Sequence, residues 1–144
     1  MKKALILLCL LLLALLSCDT ETQDQDETEI RNVIYDIAHD FSWNDVEGIM
    51  AHVHPDFRHN GIYREELRDL WLQRRAQYEL LDCEVTQVDV DGDYAVVHML
   101  MTFTSNTGNL SYPEPETQGD ASYFRYDLGA WLLYGNQEWS VDRH

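Results

Sequence analysis

The chain has 144 residues with 26 acidic side chains against 10 lysines and arginines, which gives a formal net charge of −16. A protein this acidic, without a basic stripe, is repelled by nucleic acid and by anionic lipid, so nucleic-acid binding is excluded. Its two lysines, Lys2 and Lys3, lie in a segment that we expect to be removed, which leaves eight arginines and a charge of −18. Schiff-base and P-loop lysine chemistry are therefore excluded as well.

Residues 1–17 have the organisation of a bacterial signal peptide. An apolar run of about 13 residues follows the two lysines, which is shorter than the roughly 20 that span a bilayer. The run ends in "LLSC", which resembles the lipobox of bacterial lipoproteins, where the chain is cut before the cysteine and that cysteine is acylated with chains such as palmitate. The resemblance implies a protein anchored to the lipid bilayer through acylated Cys18, on the extracytoplasmic side of a membrane of the bacterial cell envelope. The alternative is an ordinary secretory signal peptide in which Cys18 has no special role. Asp19 resembles an inner-membrane retention signal, but the choice between inner and outer membrane stays open.

The segment after the lipid site separates the anchor from a single domain. Residues 18–29 carry the lipidated cysteine and an acidic stretch without an apolar anchor, which predicts a disordered, self-repelling tether. Residues 30–144 then supply about 115 residues, the length of one domain. Cys83 is the one cysteine of that domain, so we expect no disulfide, and its acidic and apolar neighbours predict a buried thiol.

The first part of the domain has helical periodicity. Apolar residues recur at i, i+3, i+4 and i+7 from Ile30 to Phe41, which predicts a helix with one buried stripe. A second helix is predicted with Asn44 and Glu47 as a capping box and with Pro55 as its end. The stretch "REELRDLWLQRRAQYEL" predicts a third helix, with acids in its first turn and arginines in its last.

From Leu81 onward the period changes to two, which indicates strands. The stretch "CEVTQVDVDGDYAVVHMLMTF" predicts a hairpin around Asp91–Gly92. A second strand pair is predicted from "ASYFRYDLGAWLLY" and "EWSVDR", and residues 105–120 between the pairs are predicted to be a long polar loop, either a lid or disordered. Helices followed by an antiparallel sheet predict an α+β fold.

Both faces of the predicted strand from Tyr94 to Phe103 are apolar. One face carries Ala95, Val97, Met99, Met101 and Phe103, and the other carries Val96, His98 and Leu100. A sheet that wraps around helices normally has one wet face, so the second apolar face predicts a homodimer through the sheet.

Three stretches in order, "IRNVIYDIAHDFSWNDVEGIMAHVHPDF", "VDVDGDYAVVHM" and "QEWSV", resemble the nuclear-transport-factor-2-like superfamily, close to its SnoaL-like and ketosteroid-isomerase-like branches. The resemblance covers about residues 28–144. It implies a cone-shaped α+β fold, in which a curved antiparallel sheet wraps around about three N-terminal helices. It also implies frequent dimerisation through the sheet and a small, mostly apolar ligand at the mouth of the cone. Members include isomerases, dehydratases, binding modules and scaffolds, so the fold alone sets no function.

The residues that carry ketosteroid-isomerase chemistry do not match. Gly61 stands near the position of the general-base aspartate, Ile37 near that of the donor tyrosine, and Gly129 near that of the protonated aspartate. Asp127 shares a strand face with Gly129 but lies at a different depth. The enzyme alternative is therefore a SnoaL-like isomerase or dehydratase that uses His59 or Asp127 as acid or base.

The stretch "AHVHPDFRHNG" places His52, His54, Asp56 and His59 within eight residues. These side chains are metal ligands by type, but His52 and His54 straddle a predicted helix end and should diverge. No further ligand follows at the spacing of a metal motif, so we predict neither a metal nor another cofactor. His59 is either a polar residue at the mouth of the cone or a surface histidine beside a turn at Asn60–Gly61.

The leading prediction is a domain that binds a small, largely apolar ligand or a protein partner without catalysis. The pocket residues, chosen by face and by family position, are Tyr35, Phe57, His59, Trp71, Met99, Tyr126 and Trp131. The alternatives are the enzyme described above and an assembly domain that dimerises through the sheet, with its pocket filled by its own side chains. Arg125 and Asp127 share a face, where they either bind a polar ligand or form a solvated ion pair.

Overall fold

The computed structural model describes residues 2–138, with side chains from Glu21 to Glu138. The helices are α1 (Lys2–Ser42), α2 (Val46–Ala51) and α3 (Arg64–Gln77); the strands are β1 (Arg58–His59), β2 (Ile62–Tyr63), β3 (Leu80–Asp91), β4 (Tyr94–Ser105), β5 (Gly108–Glu114), β6 (Tyr123–Asp127) and β7 (Ala130–Leu133). The predicted α+β class is confirmed. Most of the predicted strand "EWSVDR" and the side chain of Cys18 lie outside this description.

Helix α1 is longer than the sequence predicts. Residues 18–29, predicted to be a disordered tether, continue the helix instead. Extending an existing helix costs less than nucleating one, and the Gln25 amide donates to Glu29 one turn later at 2.9 Å. A tertiary bond adds to this, since the Trp131 indole N–H donates to Asp26 at 3.0 Å. Among the residues described, no helix combines the length and the apolar character needed to cross a membrane.

The predicted apolar stripe of α1 is buried. Its members are Ile30, Ile34, Ile37, Ala38 and Phe41. The Phe41 ring meets Trp71 of α3 at 5.9 Å between centroids and Phe103 of β4 at 5.3 Å, both edge to face. These rings therefore join two helices to the central strand at the middle of the core.

Helix α2 begins with a different cap from the one predicted. The Asp45 carboxylate, rather than Asn44, accepts from the backbone N–H of Gly48 at 2.8 Å. Asn44 has φ 60° and ends α1, a left-handed position that asparagine tolerates. The sequence could not separate these two roles because both residues are good caps.

Strand β4 is the centre of a strongly curled, five-stranded antiparallel sheet. Strand β3 pairs along one edge of β4 through the predicted hairpin, whose turn is Gly92–Asp93. The other edge is shared: β6 pairs with the beginning of β4, and β5 with its end. The predicted inner face of β4 is buried against the helices, so the cone-shaped fold is confirmed.

The predicted long loop at 105–120 is wrong, because β5 occupies Gly108–Glu114. The sequence does not reveal this strand, because it is a polar strand at the edge of the sheet. Pro113 is tolerated there, since an edge strand does not need every backbone N–H for pairing within the sheet. The stretch "ASYFRYDLGAWLLY", predicted as one strand of a second pair, instead contains two strands, because Leu128 and Gly129 form a turn that pairs β6 with β7.

Shortening a side chain on the buried face of α1 should destabilise the domain far more than shortening one on its exposed face. Phe41→Ala removes a ring that touches two others, and we expect it to lower the free energy of unfolding by about 3–5 kcal/mol. Tyr35→Ala, on the exposed face of the same helix, should change it by less than about 0.5 kcal/mol. Urea unfolding followed by circular dichroism measures both, and equal effects would contradict this packing.

Candidate functional site

A buried ion pair joins α3 to the segment between β5 and β6. The Arg74 guanidinium donates to both carboxylate oxygens of Asp120, at 2.6 and 3.0 Å, and the two side chains are only 11% and 5% exposed. The guanidinium carbon also lies 4.8 Å from the centre of the Trp71 ring. Burial lowers the pKa of Arg74, but the charge of Asp120 and its hydrogen bonds outweigh that effect and raise the pKa. Arg74 therefore stays charged inside the domain.

Two inward-facing side chains of β5 extend this pair into an inner polar cluster, which we define as Arg74, Tyr112, Glu114 and Asp120. The buried Glu114 carboxylate accepts the backbone N–H groups of Gln118, at 3.0 Å, and of Gly119. Burial raises the pKa of Glu114, and these two hydrogen bonds oppose the shift. Burial also raises the pKa of Tyr112 to about 12, although Arg74 opposes it. Both carboxylates thus point their oxygens at protein donors.

His59 is a structural residue beside this cluster. His59 is 4% exposed, so the alternative prediction that it is a surface histidine is wrong. The predicted turn at Asn60–Gly61 is present. Its Nδ1 accepts the backbone N–H of Asn136 at 3.3 Å, which places the ring proton on Nε2, and Nε2 donates to the Gln118 carbonyl at 2.7 Å. With both ring nitrogens bonded to backbone, His59 fixes the position of the β5–β6 segment.

Asp127 belongs to a second polar group, at the far end of β6. The buried His54 ring accepts the backbone N–H of Asp56 at Nδ1, 2.9 Å away, and donates from Nε2 to Asp127 at 3.0 Å. The hydrogen bond from His54, followed by that from the Leu128 N–H, lowers the pKa of Asp127. A general base at neutral pH works best with a pKa near 7, so this pairing disfavours Asp127 in that role.

The histidine-rich stretch is dispersed by the fold. His54 is directed to Asp127, His59 is directed to Gln118, and His52 ends α2. Within the part of the chain that the structure describes, no three histidine, cysteine or acidic side chains are grouped so as to hold a metal ion.

The predicted pocket residues occupy several different places. Phe57, His59, Trp71, Met99 and Trp131 are buried, whereas Tyr35 and Tyr126 are exposed. Tyr126 and Trp131 do meet, edge to face at 5.5 Å, and line a pocket of about 440 Å³ beside α1. Phe57 lines another of about 390 Å³, and Met99 a third of about 290 Å³. Phe57, Trp71, Met99 and Trp131 therefore belong to one hydrophobic core, and Tyr126 and Trp131 share one of these pockets.

The inner polar cluster escaped prediction because Glu114 and Asp120 lie in the segment taken for a loop. One signal was present in the sequence. Arg74 follows Leu67 and Trp71 at i+7 and i+3, so it lies on the buried face of α3. An arginine on such a face requires a buried acid.

Comparisons with known proteins identify the fold. No protein-family model matches the chain, and no curated protein matches it. A nuclear-transport-factor-2-like protein of unknown function from Shewanella oneidensis MR-1 is similar with a TM-score of 0.62 and 8% identity, over 76% of this chain and 94% of its own. A nuclear-transport-factor-2-like protein with a cystatin-like fold from Novosphingobium aromaticivorans gives a TM-score of 0.58 and 16% identity, over 82% and 83%.

A third similar structure is a longer protein, Bd1075 from Bdellovibrio bacteriovorus. Its TM-score is 0.61 at 11% identity, and the match covers 80% of this chain but only 40% of Bd1075. Together these structures confirm the predicted nuclear-transport-factor-2-like fold. At such low identity they establish the fold alone.

Breaking the buried ion pair should be costly. Asp120→Ala leaves the Arg74 charge buried without its partner, and we expect the free energy of unfolding to fall by about 3–5 kcal/mol. The double variant Arg74→Met with Asp120→Leu removes both charges, so its free energy of unfolding should fall much less. Urea unfolding of the wild type and both variants measures this. A single variant that is as stable as the double variant would contradict the prediction.

The raised pKa of Glu114 predicts a pH-dependent contribution to stability. A carboxyl group whose pKa is higher in the folded than in the unfolded state binds its proton more tightly when folded. Its contribution is fully present below its ordinary pKa of 4.5 and is lost as the pH rises through the folded pKa. The stability of the wild type relative to Glu114→Gln should therefore decrease as the pH rises from about 4.5. A difference independent of pH, in urea unfolding between pH 4 and pH 8, would contradict this.

Proposed function

We propose that the chain is a lipoprotein of the bacterial cell envelope, anchored on the extracytoplasmic side of a membrane through acylated Cys18, whose domain binds a protein partner without catalysis. The anchor is supported by the signal-peptide pattern of residues 1–17 and by "LLSC". The binding role is carried by one observation, the apolar and aromatic outer face of the curled sheet.

The outer face, as we define it, is the face of the sheet turned away from the helices. Its apolar and aromatic members are Tyr94, Val96 and Leu100 of β4, Tyr123 of β6, and Tyr134 after β7. Tyr94, Val96, Tyr123 and Tyr134 also line a shallow pocket of about 240 Å³. Arg125 lies among these rings, where it donates to the Tyr134 hydroxyl at 3.2 Å. An apolar and aromatic patch on one face of a sheet is typical of a protein interface, although His98 separates Leu100 from the rest of this one.

The charges on this face favour a second copy of the chain as the partner. Asp82, Glu84 and Asp89 of β3 pair in register with outward residues of β4, so they lie along one side of the outer face. Arg125 lies on the other side of β4, on β6. A two-fold axis near β4 would bring the acids of one copy opposite Arg125 of the other, where they would compete with Asp127, which lies 3.8 Å from Arg125 in the same copy.

The interior supports binding rather than catalysis. The concave side of the sheet is filled by the aromatic rings of α1, α3 and β4 and by the inner polar cluster. The two residues considered for acid–base chemistry, His59 and Asp127, are bonded to structural partners. A SnoaL-like isomerase or dehydratase needs at least one such group directed at a substrate.

A small apolar ligand is the second candidate for what the domain binds. The observation in its favour is the pocket of about 440 Å³ beside Tyr126 and Trp131, which has the volume of a small-molecule site and an aromatic wall. Asp26 and Glu29 line the same pocket, so a ligand with a polar edge suits it better than a pure hydrocarbon.

A charge placed on the outer face should dissociate the dimer. Leu100 is 38% exposed on this face and Leu72 is 41% exposed on α3, so the two leucines form a matched pair. Leu100→Glu buries an unpaired charge at the interface and should raise the dimer dissociation constant by at least about 30-fold. Leu72→Glu should leave it unchanged. Analytical ultracentrifugation measures both, and equal behaviour of the two variants would exclude this face.

A further inference from the structure

The pocket of about 440 Å³ lies between α1 and the end of the sheet that carries the β3–β4 and β6–β7 turns. Its two aromatic residues, Tyr126 and Trp131, are register partners in the β6–β7 hairpin, so both lie on the face of the sheet that is turned towards α1. Trp131 is buried, whereas Tyr126 is 41% exposed. Tyr126 therefore gives this pocket an accessible aromatic wall.

Three carboxylates line the same pocket. Asp26 and Glu29 come from α1, and Asp93 comes from the turn between β3 and β4. Residues three apart in a helix lie on one face, so Asp26 and Glu29 are neighbours on the helical wall. The Tyr126 backbone N–H donates to the Asp93 carbonyl at 2.7 Å, which fixes the turn against the end of β6. Negative charge is thus placed on two different walls of the pocket.

The charge of these carboxylates is not balanced inside the pocket. Asp26 accepts from the Trp131 indole at 3.0 Å and Glu29 accepts from the Gln25 amide at 2.9 Å, and both donors are neutral. The residues described as lining the pocket include no arginine, lysine or histidine. Across the part of the chain that the structure describes, none of the three carboxylates forms an ion pair. A concave site with unbalanced negative charge attracts a cation.

The arrangement suits an organic cation better than a metal ion. Among the residues that the structure describes, no three acidic, histidine or cysteine side chains are grouped closely enough to hold a metal ion. The carboxylates are therefore spread around the pocket. An aromatic wall attracts an ammonium group through its π face and packs against methylene groups. Carboxylates on two walls, together with an aromatic surface, match a linear molecule that carries an ammonium group at each end.

We propose that this pocket binds an alkyl diamine, with one ammonium group at Asp26 and Glu29, the other at Asp93, and the methylene chain along Tyr126. The inference rests on the second candidate of the proposed function, a small ligand beside Tyr126 and Trp131, and names the chemical class of that ligand. It is separate from the proposed dimer, because the pocket and the outer face lie on opposite sides of the sheet.

Isothermal titration calorimetry of the full-length protein in a nonionic detergent tests this with two probes of equal length. Hexamethylenediamine carries two ammonium groups, and hexanediol carries neutral hydroxyl groups in their place. At about 0.15 M salt, we expect the diamine to bind with a Kd on the order of 0.1 mM and the diol at least about tenfold more weakly. A ligand with this affinity is lost during purification, so each probe is added to the purified protein.

Substitutions locate the bound diamine. Asp26→Asn keeps an acceptor for the Trp131 indole but removes the charge, and it should weaken binding about fivefold. Tyr126→Ala removes the accessible ring and should weaken binding to a similar extent. Asp36→Asn is the matched control, because Asp36 is an exposed carboxylate of α1 outside the pocket. It should change the Kd by less than about 1.5-fold.

The contrary outcomes differ from one another. Equal binding of the diamine and the diol would refute a cationic ligand but would leave the small-ligand candidate in place. No binding of either probe, up to about 5 mM, would refute both. Equal weakening by Asp26→Asn and Asp36→Asn would overturn the proposal, because the overall charge of the protein would then attract the diamine. Leu100→Glu should bind the diamine like the wild type, so a failure of the dimer leaves this test unaffected.

Discussion

The buried ion pair between Arg74 and Asp120 is the interaction on which the closed interior depends. The segment between β5 and β6 packs against the interior of the curled sheet, where its residues Asp120, Ala121 and Ser122 are buried. That segment is polar, so it cannot be fixed by hydrophobic packing alone. Arg74 fixes it from α3, the Glu114 carboxylate from β5, and the His59 ring from β1. The resemblance to the superfamily implies a cone that opens to a ligand. In this domain, these side chains instead help to fill the interior of the cone.

The parts of the fold that follow from local periodicity could be read from the sequence. The buried stripe from Ile30 to Phe41 and the alternation along β4 each repeat over several residues, and each is matched by burial in the structure. Strand β5 could not be read this way, because an edge strand with polar residues and a proline has no apolar period. The acidic residues 18–29 were misjudged for a related reason: their composition suggests disorder, but a continuous helix and the bond from Trp131 to Asp26 order them.

The candidate site was harder to predict than the fold, since its contacts are long-range. Arg74 and Asp120 are 46 residues apart, and His54 and Asp127 are 73 apart. A histidine in a sequence gives no indication of which backbone groups will occupy its two nitrogens, so His59 looked free for acid–base chemistry. Only the position of Arg74 on the apolar face of α3 pointed towards the buried acid that pairs with it.

A filled interior and an apolar outer face support our proposal that this domain acts by contact through its outer surface. A native mass spectrum of the chain from Asp19 onward is the measurement that we would make first, because it reports the oligomeric state and bound small molecules together. We expect a dimer whose mass equals that of two polypeptides. A monomer that carries extra mass, which is lost on denaturation, would contradict this proposal. It would indicate instead that the domain binds a small molecule inside the cone.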